Sequence, residues 1–353
     1  MKITDRYMIK GFLRMFGLSL AAITFIYVVV DMFEKMSRFI ALKVPGSKIL
    51  LYYLYETPVA VTRIIAPIAV LIAGIAAVGT LSRNFELIAF KASGISLYRL
   101  FAPLIGVGIL LSLSIFVMDE ELSTRAAWHK RLLSEQIFRR RYEDVKRKRI
   151  YLMSEDGLFF KVDRLIPEKH TLVRLTVYKF DDGHIATRLD ANRAEWYNKW
   201  YVYDGRLYDF DSEKFVQFAS YQPNWYVTFR SFLFEAKFLE ELRIPELRRY
   251  INKLRAGGED TVDEEVELHT RIAFSLTGFI VLLIALPIAV NVRLSGFAWG
   301  FAFAFLMSFV YWGLTQTGKA LGKAGLLSPG LAAWLPNLVF MVIAAILLQV
   351  VRK

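Results

Sequence analysis

The chemistry most evident in this chain is carried by cations set against apolar runs. Lys35 and Arg38 follow a first long apolar run, Arg63 interrupts a second, and Lys130 and Arg131 lie in "STRAAWHKRLLSEQIFRRRYEDVKRKR" just past a third. Cations at a membrane surface attract phosphate-bearing headgroups, so Lys35, Arg38, Arg63, Lys130 and Arg131 are candidates for an anion-binding collar, with Arg125 and Arg139 to Arg141 nearby on the same basic segment. Two plainer readings stand beside it. A charge run is usually a solvated helix face, and Arg63 either marks a functional site inside a span or lies at its edge and snorkels to the headgroups. The formal net charge of +12 suits anionic lipid at least as well as nucleic acid.

Catalytic chemistry is poorly supplied. "GLTQTGKA", Gly313 to Ala320, imitates a phosphate-cradling loop but ends in Ala320, so the magnesium-binding hydroxyl is missing, and no strand precedes it. The chain is therefore read as lacking an ATPase of its own. His129, His170, His184 and His269 are scattered, and there is no cysteine, which argues against a metal site and excludes disulfides. No paired carboxylates or histidines converge within the apolar runs, which disfavours an integral membrane enzyme.

A second candidate is a helix. In "RNFELIAFKASGIS", Arg83 to Ser96, Phe85, Ile88, Ala89 and Ala92 recur at helical spacing and make one apolar face. Arg83 and Glu86 fall on another face, Lys91 is near them, and Gly94 suits a left-handed cap. Such a helix either docks in a partner's groove or lies flat on the membrane.

These residues need elements to hold them. The chain has 353 residues, 55% hydrophobic and 22% charged, a combination that points to separate apolar and polar territories. A bilayer core takes about 20 apolar residues per helical span. Six stretches qualify, near 12–31, 50–82, 98–118, 272–292, 296–315 and 331–351. The second is overlong and holds Pro58, Arg63 and Pro67, which predicts a tilt or kink. An even count puts both termini on one side. Ten Lys and Arg flank the spans on that side against six in the short loops opposite, which makes it the cytoplasmic side. About 150 polar residues separate spans three and four. Asp156–Gly157, Asp182–Gly183 and Asp204–Gly205 each lie between β-rich runs and read as hairpin turns, predicting an antiparallel sheet over about 149–236. "IPELRRYINKLRAGG" follows, with Pro245 in its first turn, an apolar stripe of Leu247, Tyr250, Ile251 and Leu254, and Gly257 to close it. An acidic patch, Glu259 to Glu267, leads into span four.

The chain resembles the LptF/LptG permeases. The resemblance rests on "DRY" at Asp5 to Tyr7, "LSRNFELIAFKASGIS" after span two, the β-rich insertion after span three, and "VELHTRIAFSLTGFIVLLIALPIAV" in span four. "DRY" and the short tail after span six are closer to LptG. It implies six transmembrane helices (residues 1–118 and 268–353), a periplasmic region over 119–267 with a β-jellyroll, and a place in the inner membrane. It also implies export of lipopolysaccharide, an LptF-like partner permease, an LptB-like ATPase dimer that binds the ATP and magnesium, and LptC- and LptA-like periplasmic proteins. No cofactor is implied for this chain. Residues 84–92 correspond to the coupling helix and Glu86 to its acidic residue. Asp31 stands where a lysine of span one binds lipid phosphate in the enteric members, so Lys35 and Arg38, one or two turns on, are the substitutes. Ser275 stands where span four often has proline. The competing function is a membrane-anchored scaffold whose β domain recruits partners without moving substrate.

Overall fold

An apolar run in lipid must satisfy its backbone N–H and C=O groups within itself, and the helix does so. The computed structural model describes residues 3–138, 150–154, 156–166, 169–181, 184–229, 231–232, 239–256, 260–290 and 297–351. Two compact units result, Met1–Lys130 with Val262–Lys353, and Arg131–Thr261.

The first unit is helical. Helix α1 (Ile3–Ala41) has 39 residues. At 1.5 Å per residue it runs about 58 Å, more than the ~30 Å of a hydrocarbon core, so it overhangs a bilayer. Helix α2 (Gly46–Ala60) passes through a π-helical turn at Val61–Ile65 into α3 (Ala66–Arg83), and a short α4 (Glu86–Ala92) follows. Helix α5 (Leu97–Met118) passes through a second π-helical turn at Asp119–Ser123 into α6 (Thr124–Phe138). After the second unit come α8 (Val262–Phe274), α9 (Thr277–Ala289), α10 (Phe297–Lys323) and α11 (Pro329–Val351). Among the described residues four helices are long and apolar enough to cross a membrane: α1, α2–α3, α5–α6 and α11. Helices α8 and α9, bent by 44° at their junction, make a fifth if they form one span. The remaining predicted span, 296–315, coincides from Phe297 on with α10, which is outside that set and has 27 residues.

The overlong second span and its kink have a local cause. Pro58 has no N–H to give the helix, and the π-helical turn follows it. The Pro58 carbonyl accepts hydrogen bonds from Thr62 Oγ1 and Ser123 Oγ, both at 3.1 Å. Thr62 and Ser123 are themselves 2.8 Å apart, so the two π-helical turns are stitched to each other. The fourth span, expected near 272–292, is not one continuous helix, because it breaks at Ser275 and Leu276. Asn337 Nδ2 on α11 donates to the Ala273 carbonyl at 2.6 Å beside the break. Tyr311 OH donates to Asn337 Oδ1 at 3.0 Å, and Thr277 lies 2.5 Å from the same hydroxyl. A buried polar group without a partner is costly, and this chain of contacts satisfies those at the break.

Helix α3, rich in Ala and Gly, lies at the centre of the unit, with Ala69, Val70, Leu71, Ala73 and Val78 fully buried. Small residues let membrane helices approach closely. A Cβ on Gly74 would come within 2.8 Å of Ala285 and Leu282 on α9.

The second unit holds one six-stranded antiparallel sheet in chain order: β1 (Ile150–Met153), β2 (Leu158–Ile166), β3 (Thr171–Asp181), β4 (His184–Trp196), β5 (Trp200–Asp209) and β6 (Lys214–Tyr221). The described strands thus form a meander, where a jellyroll would need Greek-key crossings. Trp200 is buried among Phe160, Trp225, Phe229 and Phe232, and its indole N–H donates to the Val227 carbonyl at 2.6 Å. Asp156–Gly157 forms the expected β1–β2 turn, with Gly157 at φ 75°. Asp182–Gly183 lies outside the described residues, between β3 and β4. Asp204–Gly205 is not a turn, because it sits inside β5. The β5–β6 turn is made instead around Asp209, whose carboxylate accepts from Ser212 Oγ at 2.6 Å. That bond, with backbone N–H groups of Ser212 and Asp211, holds the Asp209 carboxyl below its ordinary range.

Asp204 belongs to a crease. The ladder pairs Val162 with Leu175 and Arg164 with Val173, but not Asp163 with Arg174. The same gap recurs at Arg174 and Asn192, at Asn192 and Asp204, and at Asp204 and Ala219. Arg174 and Asp204 both have φ 51°. Strand side chains alternate faces, yet across this row the buried positions step by three: Val162 to Leu165, Leu172 to Leu175, Ala191 to Ala194, Val202 to Gly205. The slip is common to four strands, so one face of the sheet stays apolar on both sides of the crease.

Helix α7 (Ile244–Ala256) follows the sheet. Its stripe buries as the sequence spacing predicts, with Leu247, Tyr250, Ile251 and Leu254 at 6% exposure or less. Gly257 and Glu259 lie outside the described residues.

Candidate functional site

The collar residues lie on α1, on α6 and in the first π-helical turn, and most are already matched by carboxylates. On α1, Lys35 Nζ donates to both Asp31 oxygens at 2.6 and 2.7 Å, and to Tyr52 OH at 2.9 Å. Tyr53 OH donates to the same Asp31 at 2.9 Å. The spacing of four residues makes the Asp31–Lys35 pair a neighbour pair on one helix face. Lys130 Nζ lies 2.5 Å from Glu56 Oε2, and Tyr27 OH donates to the other Glu56 oxygen at 2.8 Å. Glu56 is only 6% exposed. Arg63 Nε donates to Asp119 Oδ1 at 3.0 Å, and Thr62 Oγ1 lies 3.0 Å from the same atom. In the second unit Arg131 Nε lies 2.7 Å from Glu241. Arg38 differs from these, because it is exposed and its side chain meets no carboxylate among the described residues. The expected ring of open cations is therefore a set of ion pairs with one open arginine. Arg139 to Arg141 fall outside the described residues.

Sequence reasoning missed Asp31, Glu56 and Asp119 as partners. The available signal was Glu56 itself, a carboxylate inside an apolar run, which is costly there without a cation.

The two π-helical turns place Arg63 and Asp119 face to face. Such turns often mark functional positions in helices. Arg63 also lines a small cavity of about 110 Å³ with Pro67, Phe274, Thr277, Tyr311 and Thr315.

The second candidate, around α4, keeps its apolar face open. Phe85 and Ile88 are 65% and 59% exposed, and Ala89 and Ala92 are exposed beside them. Leu87 is buried and Phe90 packs partly on the same core, so α4 is pinned by its other side. The helix begins at Glu86, two residues later than expected, because Phe85 has φ 60° and ends the path from α3. Arg83 is exposed in the last turn of α3, Lys91 is exposed in the last turn of α4, and Gly94 takes φ 80° as its cap.

Glu86 is tied to α1. Its Oε2 accepts from Tyr7 OH at 3.0 Å, and its Oε1 accepts from Asn84 Nδ2 at 3.4 Å. Two residues before Tyr7, Asp5 pairs with Arg99 on α5 at 3.1 Å. The "DRY" segment thus clasps both ends of the α4 loop, a role its sequence gave no means to foresee. A cavity of about 380 Å³ lies alongside, lined by Tyr7, Lys10, Arg14, Thr80, Asn84 and Glu86.

"GLTQTGKA" is not a phosphate loop, since it is a continuous part of α10. Gly318 abuts the Ala332 carbonyl, and Lys319 Nζ donates to Glu267 on α8 at 3.0 Å.

Comparison with curated proteins gives no match. Residues 6–350 match the family described as lipopolysaccharide export system permease LptF/LptG. With apolar helices, an exposed helix between two of them and a β-sheet unit all in the order that match spans, the chain belongs to the LptF/LptG family.

Proposed function

We propose that this chain, closer to LptG than to LptF, is a non-catalytic transmembrane subunit of an ATP-driven exporter that lifts lipopolysaccharide out of the bacterial inner membrane. It spans six times, with α8–α9 and α10 among the spans. Both termini and the loop over 83–97 face the cytoplasm, and residues 119–267 face the periplasm. An LptB-like ATPase dimer binds the ATP and magnesium, an LptF-like chain completes the pore, and LptC- and LptA-like proteins receive the lipid. The observation that carries this reading is the open face of Phe85, Ile88, Ala89 and Ala92 on a helix fixed from behind by Leu87. A groove on a soluble ATPase is the occupant that suits it.

For the headgroup, Arg38 is the first cation an anion meets. Lys35, Arg63 and Lys130 join only by exchanging a carboxylate for a phosphate, which makes binding sensitive to their pairs.

The test is reconstitution with the partner permease and ATPase, measuring lipopolysaccharide released per ATP hydrolysed. Export with hydrolysis is expected. A complex that recruits periplasmic proteins but releases no lipid would leave the scaffold reading in its place. For the topology, cysteines placed singly at Ser93 and Ser154 should label from opposite sides of the membrane, Ser154 from the periplasm. Labelling of both from one side rejects the arrangement.

A further inference from the structure

The crease of the sheet carries a cavity of about 760 Å³. Its walls are the crease row itself, Asp163, Arg174, Asn192 and Asp204, with Arg206 and Gln217 beside it. Two independent observations meet here. The first is backbone geometry. Arg174 and Asp204 are held at φ 51°, a conformation unfavourable for arginine and adopted only occasionally by aspartate, and residues so held gather at binding sites. Irregularities in strand pairing also re-aim side chains beside functional sites.

The second observation is charge. Lys161, Arg174 and Arg206 face Asp163, Asp190 and Asp204, three cations against three carboxylates. Asp163 pairs with Arg174 at 3.3 Å, and Asp190 accepts from Thr176 Oγ1 at 2.8 Å. Asn192, Asp204, Arg206 and Gln217 have no side-chain partner among the described residues, so donors and acceptors stand side by side and open. An anion would find no excess of positive charge, and an apolar ligand would strand these groups. A ligand whose every hydroxyl both donates and accepts satisfies them. Tyr208 and Phe218 line the same cavity and offer apolar ring surface to the C–H groups of such a ligand.

We propose that the crease is a saccharide-binding cleft, taking uncharged sugar units through Asn192, Asp204, Arg206 and Gln217. This rests on the exporter reading insofar as the sugar is part of the exported lipid. Binding is by hydrogen bonds and so varies little with salt.

The experiment uses the full chain in detergent and three probes: intact lipopolysaccharide, its lipid-free dephosphorylated oligosaccharide, and its sugar-free lipid portion. The oligosaccharide is expected to bind, and Asp204→Asn with Arg206→Gln should weaken it at least tenfold, leaving the sugar-free lipid unaffected. Gln217→Ala, on an exposed edge-strand residue, serves as a second variant and should weaken the oligosaccharide severalfold. If intact lipopolysaccharide and the sugar-free lipid bind but the oligosaccharide does not, the cleft proposal is overturned and the exporter reading stands. If the oligosaccharide binds equally to all variants, the cleft is not its site. If none of the three binds, both readings fail.

Discussion

Replacing Lys130 with methionine is expected to destabilise the helical unit by about 3–5 kcal/mol, because removing one partner strands a buried charge. Glu56 is 6% exposed, and the Lys130 ammonium 2.5 Å away is its cation. Tyr27 OH remains as a donor to the other oxygen, but a neutral hydroxyl does not balance the charge. Glu56→Gln should cost less, since Lys130 is 30% exposed and its flexible stem can reach solvent. The double variant Glu56→Gln with Lys130→Met should recover most of the loss. Thermal unfolding of all three in one detergent measures it. A double variant no more stable than Lys130→Met would show that the pair is not what holds α6 to α2. A cation near an anionic membrane surface contributes about 1 kcal/mol; the burial of Glu56 is what raises the figure.

Glu86→Lys should leave the chain folded and inserted, and abolish either ATPase association or lipid release linked to hydrolysis. The side chain has a local attachment to Tyr7 at 3.0 Å, and a lysine there would meet Lys10 and Arg14, which line the same cavity. A partner arginine facing Glu86 would be repelled as well. A buried charged pair broken from one side costs about 3–5 kcal/mol, and a rim pair far less. Tyr7→Phe separates the two roles. It removes the internal hydrogen bond and keeps the carboxylate for a partner. If Tyr7→Phe reproduces the full defect with the ATPase still bound, Glu86 acts through its tie to α1. If Glu86→Lys exports normally, the helix is a membrane-surface element and the coupling role is wrong.

The parts of this fold legible in the sequence are those set by local period and local turn chemistry. The stripe of α7, the apolar face of α4, the first Asp–Gly turn and the failure of "GLTQTGKA" as a phosphate loop all follow from spacing or context within some 15 residues. What escaped is long-range or collective. Nothing near Lys130 announces Glu56, and nothing near Tyr7 announces Glu86. The Asp204–Gly205 pair carries a turn signal that the sheet overrides, because Gly205 packs against Phe218 and the Asp190 carbonyl, leaving no room for a Cβ. The three-residue step at the crease reads as broken alternation in any single strand. Only the ladder shows four strands slipping at one row. The bend between α8 and α9 was hidden for a related reason, since the group that caps it, Asn337, is contributed by the last helix.

Phe85 has φ 60°, a backbone state that costs a residue with a Cβ about 1–2 kcal/mol. Glycine would adopt it without strain. The ring that prevents this relief is 65% exposed and stacks on no other aromatic among the described residues. Selection on the isolated chain would therefore favour glycine at this position. The value of the ring therefore lies in the surface that the open face of α4 meets, partner groove or membrane, and the local strain sets a lower bound on it.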